Sequence, residues 1–168
     1  MGPDRWTIDL PDPDATRRLG TLLAGALRPG LIVALEGDLG AGKTALSKAI
    51  IAAQGSVEED DVVSPTFVIA AEYPGRVEVL HMDAYRLDGG AALLDLGFGP
   101  LEALGKAVIV EWAERVADAL PHDRLTVRLS HVDPGRRAVL AASGPVGREA
   151  LQAVRGPWRA GHVDSPHL

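Results

Sequence analysis

Gly37-Asp38-Leu39-Gly40-Ala41-Gly42-Lys43-Thr44 has the spacing G-x-x-x-x-G-K-[ST], the pattern of a loop that cradles phosphates. A phosphate chain held inside protein needs many donors close to its oxygens. Backbone N–H groups converge that tightly only where bulky side chains are absent, and Gly37, Gly40 and Gly42 permit the approach. Lys43 would then set a point charge on the outer phosphates, and the Thr44 hydroxyl would ligate Mg²⁺. A buried-strand pattern precedes the motif and a helical one follows it, which distinguishes a phosphate loop from a glycine-rich turn that happens to precede a lysine.

Phosphoryl chemistry also needs a carboxylate near the metal, expected at the carboxyl end of a strand beside the loop. Two residues qualify. Asp83 closes Val77-Glu78-Val79-Leu80-His81-Met82, and Glu111 closes the wholly apolar run Ala107-Val108-Ile109-Val110. Their types and positions do not decide which would ligate metal and which would orient water. Ser64-Pro65-Thr66 falls where segments that sense a terminal phosphate commonly sit, although by itself it reads as a strand-entry turn. His81, beside Asp83, could relay a proton, but a single histidine on a strand reads first as a packed or hydrogen-bonded structural residue. Trp112 either walls the site or fills core.

The elements that must hold these residues follow from hydrophobic period and punctuation. Residues 5–10 alternate as a short strand, and Asp12-Pro13-Asp14 caps a helix bearing Leu19, Leu22, Leu23, Ala26 and Leu27 on one face, stopped by Pro29-Gly30. Leu31–Leu35 is a continuous apolar run between glycines, as expected of a central parallel strand, and a helix follows from Lys43 to about Gln54. Glu58–Asp61 reads as a solvated loop. Phe67–Tyr73 and Arg76–Met82 form an antiparallel hairpin, with Pro74 and Gly75 where a type II turn wants them. Helical signals over 90–104 lead to the strand 107–110, a short helix at about 113–120, and a second hairpin turning at Asp133-Pro134-Gly135-Arg136. Residues 156–168, with Gly156, Pro157, Gly161 and Pro166, are expected to fray from a single domain over 1–155. The resulting fold class is α/β: a three-layer sandwich about a mixed, mainly parallel sheet with two antiparallel hairpins.

Composition bounds the partners. The chain has 168 residues, 46% of them hydrophobic, enough for one well-cored domain. A net charge of −6 argues against holding DNA or RNA by the chain's own electrostatics, since neutralising phosphates takes a surplus of Lys and Arg. No apolar run nears the roughly 18–20 residues that cross a bilayer, and the start lacks a signal-peptide pattern. The absence of cysteine excludes disulfides and thiolate metal sites. A cytoplasmic location is expected.

Four motifs in order, GDLGAGKT at 37–44, Ser64-Pro65-Thr66-Phe67, His81-Met82-Asp83-Ala84-Tyr85-Arg86-Leu87 and Glu111-Trp112, closely resemble the bacterial TsaE (YjeE) family from about Thr16 through Arg136. That resemblance implies a phosphate-loop ATPase required for the threonylcarbamoyladenosine modification beside the tRNA anticodon. It implies TsaB and TsaD as partners, with TsaD making the transfer. Carried onto this sequence, Leu39, Gly40, Ala41, Gly42, Lys43 and Thr44 would hold the phosphates of ATP. Thr44 and Glu111 would ligate Mg²⁺, and Asp83 would act at the terminal phosphate or the attacking water. Thr66 would belong to a switch, Trp112 would line the site and Arg136 would approach the nucleotide. Ala113 stands where the family usually has proline, and Arg137 adjoins Arg136, so a slip of one residue would exchange those two.

No self-contained arginine finger or lid is evident beyond Arg86 and Arg136, so slow hydrolysis by the chain alone is expected, with turnover depending on partners. Three alternatives share the loop. A small-molecule kinase would need a basic lid, but residues 88–105 contain no Lys or Arg, with Lys106 at their edge. A GTP switch would need an Asn-Lys-x-Asp stretch, which is absent. A nucleotide-regulated scaffold would bind ATP and act only by docking.

Overall fold

The computed structural model describes residues 4–55, 57–63 and 69–161. Ser64-Pro65-Thr66, and with it the expectation for Thr66, lies outside the described residues, as do Phe67 and Val68 of the first predicted hairpin. In chain order the elements are β1 (Arg5–Leu10), α1 (Pro13–Ala26), β2 (Ile32–Glu36), α2 (Lys43–Ala53), β3 (Ala70–Tyr73), β4 (Val79–Asp83), α3 (Gly90–Asp95), β5 (Ala107–Glu111), β6 (Arg124–His131), β7 (Arg136–Ser143) and α4 (Gly144–Ala160). Short 3-10 turns cover Glu59–Asp61, Leu101–Ala103 and Ala113–Ala119.

One seven-stranded sheet runs in the order β1-β7-β6-β2-β5-β4-β3. Strands β6, β2, β5 and β4 pair parallel, whereas β3 on β4, β7 on β6 and β1 on β7 are antiparallel. Five strands therefore point one way, which is the mixed, mainly parallel sheet expected. The continuous apolar runs fill its centre because β2, β4 and β5 are buried on both faces. Helices α1, α2 and α4 cover one face, packing Leu19, Leu23, Leu46, Ile50, Leu151 and Val154 on Val33, Leu35, Ile109 and Val127. On the other face Leu93, Leu101 and Val116 cover Ile32, Ala34, Leu80, Met82 and Val110, completing three layers. Among the described residues no helix is long and apolar enough to cross a membrane.

Local chemistry sets the boundaries. Asp12 caps α1 by accepting a hydrogen bond from the Ala15 N–H at 2.8 Å, a contact worth about 1 kcal/mol. At the other end of that helix the Arg76 guanidinium donates to the carbonyls of Ala24 and Leu27, both at 2.8 Å. That reach corrects the turn expected at 73–76. The hairpin forms, but Gly75 lacks the positive φ that a type II turn demands. Its backbone lies against Gln54, where an added Cβ would meet Cδ at 2.7 Å, and the chain bends over 75–77 to dock on the helices. The helical signal over 90–104 resolves into α3 and a 3-10 turn, broken by Gly97 and Gly99 at φ +79° and +69°.

The largest correction concerns the end of the chain. Residues 156–160, expected to fray, belong to α4. Ala150, Leu151, Val154 and Trp158 fall on one face of that helix and are buried. Trp158 meets Trp6 edge to face at 6.0 Å, and Arg18 lies 4.3 Å from the Trp158 ring centroid. Pro157 sits in the last turn, where its carbonyl still accepts from the Gly161 N–H at 3.1 Å. Tertiary burial of the tryptophan outweighs the local breaker signal. Trp158→Ala is accordingly expected to destabilise the fold by about 3–5 kcal/mol in denaturant titration, whereas a frayed tail would leave the midpoint unchanged.

Candidate functional site

Strand β2 ends at Glu36, and the chain turns through a loop into α2. Gly37, Gly40 and Gly42 take φ of +142°, +77° and +109°, conformations that side chains disfavour. Space is the second reason for glycine at the first position: a Cβ on Gly37 would stand 2.4 Å from the Leu129 carbonyl oxygen. Ala41 is buried, whereas Leu39 at the loop crest is exposed. The N-terminus of α2 opens at Lys43 with no side-chain cap, leaving backbone donors directed at the loop.

Lys43 is buried. Its Nζ donates to the carbonyls of Gly37 and Asp38, at 2.5 and 2.9 Å, and lies 3.8 Å from the centroid of Trp112. Burial pushes the ammonium below the usual lysine range, against the opposing pull of Glu114, Glu111, Asp38 and Asp83. Trp112 holds left-handed backbone at φ 57°, ψ 39°, a conformation costing about 1–3 kcal/mol in a non-glycine residue. That turn lays the indole along the lysine. Tyr85 continues the wall at 5.0 Å from the Trp112 ring, and Arg115 lies over both rings, at 4.9 and 5.8 Å.

Parallel pairing brings the two carboxylates together, because Asp83 and Glu111 are register partners at the ends of β4 and β5. Alternation then sends His81, Asp83, Ile109 and Glu111 to the face that α2 covers. Glu111 is 1% exposed. Its Oε1 accepts from the Thr44 hydroxyl at 2.7 Å, and its Oε2 lies 2.5 Å from His81 Nε2. Burial pushes the carboxyl upward, but hydrogen bonds and charge from His81, together with the Thr44 hydroxyl, outweigh it and hold Glu111 below the ordinary carboxylate range. Ser47, buried one turn beyond Thr44, makes no well-formed hydrogen bond with its Oγ among the described residues. Asp83 is mostly buried, with Oδ1 accepting the Tyr85 N–H at 2.8 Å.

The second hairpin closes the opposite side. Arg136 donates to the Gly40 carbonyl at 3.2 Å, whereas Arg137 is engaged by Asp9 at 2.7 Å on the far side of the strand. A pocket of about 240 Å³ opens beside the loop, bounded by Leu10, Pro11, Thr16, Ala45, Leu129 and Arg136. The loop residues, Lys43, Thr44, Asp83, Glu111, Trp112 and Arg136 thus converge on one edge of the sheet. Tyr85 joins them from within the 81–87 motif, where no role was read for it, and Arg115 joins them from three residues beyond Trp112. Arg128, on β6 and also not singled out in the sequence, clamps Glu36 at 2.6 Å just before the loop.

These features define the class: an α/β protein of phosphate-loop architecture. The crystal structure of Bacillus subtilis YdiB shares the fold with a TM-score of 0.72 and 28% identity, covering 91% of this chain and 94% of that one. The family model for "Threonylcarbamoyl adenosine biosynthesis protein TsaE" matches residues 10–139. The tRNA threonylcarbamoyladenosine biosynthesis protein TsaE of Treponema pallidum is 37% identical over 127 residues, 76% of this chain and 93% of its own length. The Bacillus subtilis TsaE is 35% identical over 129 residues, covering 76% and 79%. The chain belongs to the TsaE family of tRNA threonylcarbamoyladenosine biosynthesis.

Gly37 gives a direct check on the loop. Gly37→Ala must force the loop away from Leu129, so a loss of about 1–3 kcal/mol is expected in thermal or denaturant unfolding, against no loss, or a gain of up to about 1 kcal/mol, for Gly25→Ala in α1, where nothing lies within 4 Å of the added carbon.

Proposed function

We propose that this chain binds ATP with Mg²⁺ and hydrolyses it to support formation of threonylcarbamoyladenosine beside the tRNA anticodon, in the cytoplasm and together with TsaB and TsaD proteins. The observation that carries the reading is the 2.7 Å hydrogen bond between Thr44 and Glu111, which joins the hydroxyl of the loop to a strand-end carboxylate. A hydroxyl and a carboxylate are hard oxygen donors of the kind Mg²⁺ takes beside phosphates. When bound, the ion would neutralise charge on the phosphate oxygens.

The chain's own residues do the rest by position and charge, as phosphoryl transfer requires. Lys43 exchanges the carbonyls of Gly37 and Asp38 for phosphate oxygens, which accept more strongly because they are ionised. Asp83, held by the Tyr85 N–H, orients the attacking water, and Trp112 excludes solvent from the lysine. Arg136 reaches the phosphates from the second hairpin, and the adjoining pocket takes the base. The charge of −6 favours reaching tRNA through the complex instead of by direct contact.

ATP hydrolysis measured with and without TsaB, TsaD and tRNA tests the proposal. The isolated chain is expected to turn over well below the enzyme median of about 10 s⁻¹, and the complete mixture faster. Lys43→Ala should reduce the stimulated rate by about 10²-fold or more. Phosphate from ATP appearing on a metabolite would make the chain a kinase. An Asp83→Asn variant that lost hydrolysis yet sustained full tRNA modification would make it a scaffold.

A further inference from the structure

His81 is 0% exposed, so it reaches neither a bound nucleotide nor solvent, and it cannot act on reacting atoms. Its Nε2 nevertheless lies 2.5 Å from Glu111 Oε2. At that distance a hydrogen bond joins the two, and since a carboxylate oxygen accepts, Nε2 is the nitrogen that carries the proton. The other ring nitrogen, Nδ1, is buried without a hydrogen-bond partner among the described residues. A buried polar atom left unpaired is a net cost to folding, and an aliphatic side chain at this place in β4 would avoid it. Neighbouring positions of β4 that face the helices or the opposite layer are apolar, as Val79, Leu80 and Met82 show. What the imidazole brings in return is a single N–H directed at one oxygen of Glu111.

That direction matters because Glu111 has two oxygens and two demands. With Oε2 fixed by His81, Oε1 is the oxygen turned to Thr44, at 2.7 Å. Without that donor the carboxylate could rotate about its terminal torsion, which is broad and weakly restrained. The neighbouring Ser47 hydroxyl, which has no well-formed hydrogen bond of its own, offers an alternative partner on the same helix.

We propose that His81 is a positioning residue: its Nε2–H fixes the Glu111 carboxylate so that Oε1 and the Thr44 hydroxyl together face a divalent ion bound with ATP. The inference rests on the metal reading of Thr44 and Glu111 given above. Outer partners of this kind are worth about 10–100-fold in metal affinity.

The test uses the full chain, a non-hydrolysable ATP analogue and Mn²⁺ followed by paramagnetic resonance, with analogue affinity also measured in chelator. His81→Leu should weaken Mn²⁺ in the ternary complex by about tenfold or more while changing chelator-phase analogue affinity less than about twofold. His81→Gln, whose amide can present a donor at a similar reach, should recover most of the loss. If His81→Leu does not fold, His81→Asn, which keeps the polarity but shortens the reach, takes its place with the same expectation. Unchanged Mn²⁺ affinity in a less stable variant would overturn the proposal, as would an equal loss of analogue binding with and without metal. A wild-type chain whose analogue binding ignores Mn²⁺ would instead overturn the metal reading itself, and the role of His81 with it.

Discussion

A carboxylate taken out of water is the constraint around which this molecule is arranged. Removing a carboxylate from solvent costs several kcal/mol even after relaxation, and only well-placed donors offset it. Glu111 receives them from two directions, Thr44 on α2 and His81 on β4. Each donor belongs to a different element, so the same two contacts that keep the group ionised also fix α2 against the sheet and β4 beside β5. Loss of either partner leaves a buried charge under-compensated, the costly case. The site is therefore part of the core's polar architecture as well as of its chemistry.

The parallel sheet makes that arrangement available. Because β4 and β5 run alongside β2, their carboxyl ends lie at the edge from which the phosphate loop springs, the usual place for ligands in such sheets. Strand alternation gives Glu111, Asp83 and His81 to one face, and the helical period of α2 presents Thr44 and Ser47 to them one turn apart. The left-handed Trp112 follows at once: the chain must leave β5 sharply to lay an indole along Lys43. Strain at that residue marks where the backbone serves the site at some expense to stability.

Much of this was legible in the sequence where local rules coincide with the fold. The loop motif is dictated by backbone approach, so Gly37 and Gly42 read directly. Continuous apolar runs announced β2 and β5, and the carboxylates closing two strand-like segments, Asp83 and Glu111, announced the site. Other features depend on distant partners. Nothing near Gly75 reveals that Gln54 and the end of α1 will bend its turn away from type II, and Pro157 obscured a helix whose periodicity was present in Ala150, Leu151, Val154 and Trp158. His81 reads as structural from its surroundings in the chain, and its bond to Glu111 exists only because β4 and β5 pair in one register. Tyr85, Arg115 and the Glu36–Arg128 pair are likewise products of proximity across elements.

Whether Thr44 and Glu111 share a divalent ion decides the chemistry of this site. A crystal structure of the chain with Mg²⁺ and a non-hydrolysable ATP analogue addresses it directly. The expected result is an ion held by the Thr44 hydroxyl and, directly or through water, by Glu111, with Lys43 moved from the loop carbonyls onto the phosphates. An ion bound away from both residues, with Thr44 still donating to Glu111, would contradict it.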